Sequence, residues 1–246
     1  MKQIRWYLFL SVMLIALSAV FYELQIAIFH KTEDTLFYML QDIAFVPVQV
    51  LLVTLFLNQL LTMREKRALL KKMNMLIGTF YIEVGTDLIR LLSKYTGDLS
   101  SIREKMLVAA KWTAKDFENA RVSLRDSDLD IDSRKADLNE LKAYLTSKRN
   151  FLLTLLANPN LLEHDAFTDL LWAVFHLAEE LAARQSFERL PKPDSDHLSG
   201  DIKRAYSRLL AEWLSYMKHL KDDYPYLFSL AVRMNPMDLN ADPIVQ

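Results

Sequence analysis

His176, Glu179 and Glu180 stand three and four residues apart, the spacing that brings side chains onto one face of an α-helix. Imidazole nitrogens and carboxylate oxygens from neighbouring helices can hold a transition metal, and His164, His197, Asp201 and His219 are further donors in the same part of the chain. Metal centres in helical bundles repeat one ligand spacing on several helices, and no Glu-x-x-His pair recurs here. A His/Glu pair at helical spacing is more often a solvated face. The expectation is therefore no metal, no cofactor and no catalytic residue, so not an enzyme.

Other constellations fall short for stated reasons. His164-Asp165 matches the dipeptide of metal phosphohydrolases, but that chemistry needs an upstream histidine, and the only earlier one is the distant His30. Asp126, Asp128, Asp130 and Asp132 alternate like the start of a calcium loop. Ile131 and Asp137 occupy the positions where such a loop needs glycine and glutamate, so a solvated acidic turn is expected. Cysteine is absent, which removes disulfides, thiolate zinc sites and thiol nucleophiles. Four glycines leave little material for phosphate-cradling loops, and a net charge of -1 offers nucleic acid no basic surface.

A polar pair sits in a more unusual place. Asp42 and Gln49 are seven residues apart, on one face of a continuous helix, at the outer part of an apolar region. In an oligomer they could line a polar path, because ionisable groups within a bilayer face a pore or a partner. The alternative, which span length favours, leaves Asp42 at the interface, since Ile43–Met63 alone is long enough to cross.

The elements carrying these residues begin with two uncharged apolar runs, Trp6–Tyr22 and Ile43–Met63. Arg64, Lys66, Arg67, Lys71 and Lys72 follow the second run at once. Lys2 and Arg5 precede the first, so both ends favour the cytoplasm and His30–Thr35 becomes a short outer loop. The basic cluster would also draw anionic lipid head groups. A cleaved signal peptide ending near Ala16-Leu17-Ser18 is the competing reading, but the apolar stretch is longer than such a segment needs. In the second span, Thr32 or Asp34 is placed to cap a helix starting near Leu36. Pro47 then either sits in one long helix or opens a separate span after an interfacial helix over 35–45.

Beyond the membrane segment the apolar period is helical. Leu69, Met73, Leu76, Phe80, Val84, Leu88 and Leu91 predict a stalk helix ending near Tyr95-Thr96-Gly97. Ser101 and Glu104 have capping-box spacing before a helix reaching Leu124. Further helices are expected over Leu138–Leu155, Phe167–Leu181 and Leu198–Leu220, the last capped by Asp194 or Ser195. Tyr226–Val232 would then form a closing apolar turn. Met73, Met75, Trp112, Trp172 and Trp213 are expected to be core or helix-packing residues. The fold class is all-α: a transmembrane hairpin over 1–62, a cytoplasmic bundle of about five helices over 63–234, and a flexible tail over 235–246.

Arg64–Lys72 with its following helix, and Tyr216–Leu220 running on to Tyr224–Leu230, resemble an uncharacterised family of prokaryotic two-span integral membrane proteins with a cytoplasmic helical domain. The resemblance covers most of the chain and implies a prokaryotic setting. It implies no activity, so it assigns no functional residue. The expectation is a multi-pass protein of the prokaryotic cytoplasmic (inner) membrane with both termini cytoplasmic. It would act by self-association or by binding a protein partner, with an oligomeric channel as the alternative.

Overall fold

The computed structural model describes the backbone of residues 2–125 and 127–245, and the side chains of all these except residues 2–5, 67, 68, 101, 162 and 163. Asp126 and the side chains of Lys2, Arg5, Arg67 and Ser101, all named above, lie outside the described residues. The chain divides into two compact units, Met1–Lys66 and Arg67–Gln246. It is all-α: among the described residues the one extended pairing is an isolated antiparallel bridge between Thr96 and Ile131.

In the first unit, helix α1 spans Lys2–Phe29 and helix α2 begins at Thr32, running to Phe80. The connection is shorter than the expected His30–Thr35 loop because Thr32–Thr35 already form the first helical turn. Glu33 and Asp34 favour that turn by facing its positive dipole end. His30 reverses the chain in the left-handed region, with φ of 51°. Pro47 lies inside α2, so the separate interfacial helix does not form. Proline cannot donate to the Ile43 carbonyl, and the helix carries that lost bond within its length. Both helices are long and apolar enough to cross a membrane, and no residue of either apolar window is buried.

The second unit starts within α2. A π-helical turn, Tyr81–Gly85, joins it to α3, Thr86–Ser93. There follow α4 (Ser100–Met106), α5 (Ala114–Arg125), α6 (Leu138–Leu156), α7 (Asp165–Ala183), α8 (Lys192–Asp223) and α9 (Pro225–Arg233). Helices α3 to α9 exceed the expected five, partly because the predicted helix over 102–124 is two. No proline or glycine marks that break. Thr113 and Asp116 make it instead, as a reciprocal capping box that restarts the helix: the Thr113 N–H donates to Asp116 at 2.6 Å. At the start of α4 the Ser100 N–H donates to the Asp98 carboxylate at 2.8 Å.

The core follows the predicted stripes. Met73 is buried, and Phe80, Val84 and Leu88 share one core cluster with residues such as Phe167, Leu209 and Trp213. Three expectations fail. Met75 and Trp172 are exposed, since each lies on the helix face opposite its buried stripe. Helix α8 begins at Lys192 with Pro193 in its first turn, so neither Asp194 nor Ser195 caps it. The tail is not free at its start: Asn235 and Met237 are buried, and the Asn235 side-chain amide donates to the Met106 carbonyl at 2.8 Å.

Candidate functional site

Helices α7 and α8 pack together as consecutive elements. Leu170, Val174, Leu177 and Leu181 bury one face of α7, and Leu198, Ile202 and Ala205 bury the facing stripe of α8. This packing sets His176 and Glu180 of α7 beside His197 and Asp201 of α8. One donor atom from each of the four lies within 4.8 Å of every other. The separations from His176 Nε2 are 3.8 Å to Glu180 Oε1 and 3.5 Å to Asp201 Oδ2. From His197 Nε2 they are 3.6 Å to Glu180 Oε2 and 3.3 Å to Asp201 Oδ2.

Burial is uneven across the cluster. The side chain of Asp201 is 2% exposed, whereas those of His176 and His197 are 45% and 49% exposed. Neither Asp201 oxygen has a hydrogen-bond partner among the described residues. Arg204 lies 3.1 Å from Oδ1 as an ion pair without hydrogen-bond alignment. Glu180 is held by Arg184, which also grips both oxygens of Asp194 at 3.1 and 2.6 Å and so ties the end of α7 to the start of α8. The Arg184 hydrogen bonds hold the Glu180 and Asp194 carboxyls below the usual carboxylate range.

The other sequence candidates separate. His164 caps α7 by accepting the Phe167 N–H at 3.1 Å. His219 pairs with Asp223 at 2.8 Å and with the Asn74 amide at 3.1 Å. Glu179 turns to Arg149. Asp128 pairs with Lys203, Asp130 with Lys135 and Asp132 with Arg134, so these carboxylates diverge onto cations rather than converging as in a calcium loop. Asp42 lies 3.5 Å from the Tyr22 hydroxyl of α1, which donates to it within the hairpin. Gln49 is exposed, as are Arg64, Lys66, Lys71 and Lys72. Of the aromatic tract after α8, Phe228 turns inward while Tyr226 is 71% exposed.

The spacing that recurs is not Glu-x-x-His but His-x-x-x-carboxylate. His176/Glu180 and His197/Asp201 are both a histidine followed four residues later by a carboxylate. His30/Asp34 and His219/Asp223 have the same spacing outside the cluster, so the signal is only half specific. Glu212 belongs to no motif, yet it is buried on α8 beside a cleft of about 380 Å³ that Arg121, Arg125 and Arg208 also line. Burial pushes the Glu212 carboxyl above its ordinary value, against the opposing pull of His164 and Arg121.

Residues 69–233 match the family model described as "Uncharacterized protein MJ1433, C-terminal helical domain", and residues 2–61 match "MJ1433, N-terminal helical domain". The chain is similar to "Uncharacterized protein MJ1433" of Methanocaldococcus jannaschii, at 44% identity over 238 residues, covering 97% of this chain and 96% of that protein. No solved structure matches it.

Proposed function

Because the chain belongs to the MJ1433 family, whose description names two helical domains and no activity, we propose a function from its own residues. The N-terminal unit is a two-span hairpin in the prokaryotic cytoplasmic membrane, with both chain ends on the cytoplasmic side. It anchors a helical domain that works at that surface by binding a second copy or a protein partner rather than by catalysis. The observation that carries this reading is the exposure of Leu, Ile, Val and Phe along α1 and the first part of α2, such as Phe21 at 62% and Phe56 at 63%. Contiguous apolar surface of that extent is stable against lipid and not against water. The cations from Arg64 to Lys72 support the orientation and a contact with anionic head groups.

The test is fractionation after expression in a prokaryotic host. The protein should stay in the membrane pellet through an alkaline wash and require detergent for release. A reporter fused at the C-terminus should be active only in the cytoplasm, and crosslinking in the intact membrane should trap a discrete complex. Recovery in the soluble fraction overturns the anchor. The channel alternative would need Asp42 free to line a path, whereas here the Tyr22 hydroxyl meets it. An ion current in a pure bilayer that Asp42→Ala abolishes would replace the binding role with conduction.

A further inference from the structure

We propose that His176, Glu180, His197 and Asp201 bind one divalent transition-metal ion, zinc by preference, between α7 and α8. The inference uses the second unit alone and does not rest on the membrane reading. Its first support is geometric. Zinc bonds of about 2.0–2.1 Å to nitrogen and oxygen give a tetrahedron whose edges are about 3.3–3.4 Å. Asp201 Oδ2 lies 3.5 and 3.3 Å from the two Nε2 atoms, and Glu180 Oε1, the oxygen Arg184 leaves free, lies 3.8 Å from His176 Nε2. With one donor atom of each residue within 4.8 Å of every other, side-chain rotations can close the set around a central ion.

The second support is Asp201. A carboxylate at 2% exposure with no hydrogen bond among the described residues is costly unless a cation compensates it. Arg204 serves Oδ1, while Oδ2 faces the Nε2 atoms of both histidines. With a metal, neutral imidazole nitrogens and the carboxylate oxygen all point at the same charge. Arg184 on Glu180 and Arg204 on Asp201 act as outer contacts that orient the two carboxylates and leave each an oxygen for the ion.

The donor set selects among ions. Two imidazoles suit zinc and its transition-metal neighbours, whereas calcium and magnesium seek a shell of oxygens. The half-exposed imidazole edges give the ion a path from solvent.

Untagged full-length protein in mild detergent, stripped with a chelator and titrated with Zn²⁺ in a calorimeter, tests the site. One zinc per chain should bind, Tm should rise with zinc concentration, and an excess of Mg²⁺ should not compete. The double variant His176→Ala/His197→Ala should weaken binding by more than about 100-fold, beyond the loss typical of an outer contact. Those side chains are half exposed, so the variant keeps its fold and remains decisive even where Asp201→Asn does not. Absence of saturable zinc binding, or affinity unchanged in the double variant, overturns the site and leaves the four residues as histidine–carboxylate pairs.

Discussion

Glu212 shows how one residue can set a pH dependence that no motif announces. Its carboxyl is raised above its ordinary value of 4.5, chiefly by burial. A raised carboxyl favours the folded state while it is protonated and loses that contribution as pH rises through its folded pKa. Thermal melts should therefore show Glu212→Gln gaining on the wild type from above about pH 4.5, where the unfolded carboxylate ionises. The gain at neutral pH should be on the order of 1 kcal/mol, the scale of relieving one poorly compensated buried polar group. A constant difference from pH 4 to 8 would show that ionisation is not the cause. Individual donors, by contrast, were legible: all four residues of the cluster stand out as types in the sequence. Their grouping was not, because it depends on which turn of α7 meets which turn of α8.

The π-helical turn is the most particular element. It inserts a wider turn between α2 and α3, with the Thr86 N–H and hydroxyl both donating to the Tyr81 carbonyl. The Tyr81 ring stacks on Tyr216 with centroids 4.9 Å apart, and its hydroxyl donates to Leu209 at 2.9 Å. A Cβ on Gly85 would fall 2.5 Å from a Tyr81 ring carbon. Gly85→Ala must therefore displace a fully packed tyrosine and should cost about 1–3 kcal/mol in denaturant unfolding. Gly200→Ala is the opposite case. Gly200 lies within α8 with nothing within 4 Å of the added carbon, so the change should stabilise by about 0.5–1 kcal/mol. A neutral Gly85→Ala would mean that the turn relaxes without its glycine. Helices α6, α7 and α9 were legible from apolar period and punctuation. The π turn was not, because the ring that packs on it, Tyr216, comes from more than a hundred residues away. The α4–α5 break was also hidden, since its signal is a Thr/Asp pair without proline or glycine.

At the scale of the molecule, the all-α class and the two-unit division were readable, because uncharged runs and amphipathic stripes differ in composition over tens of residues. The place of Asn235–Met237 was not readable. Polar residues beside Pro236 look like the start of a tail, and only the packed domain supplies the buried Met106 carbonyl that Asn235 satisfies. Ending the chain after Arg233 should remove that bond and the burial of Met237, costing about 3 kcal/mol. Limited proteolysis should then cut between Met106 and Thr113, and a truncated chain as resistant as the full one would refute this. The same contact has a meaning in the order of synthesis. Helices α4 and α5 leave the ribosome early, yet the groups that close the gap between them, Lys221 against Ala110 and Asn235 against Met106, are made more than a hundred residues later. A nascent chain must therefore carry that gap open through the translation of α6, α7 and most of α8, and it is in this interval that a chaperone or protease would meet it.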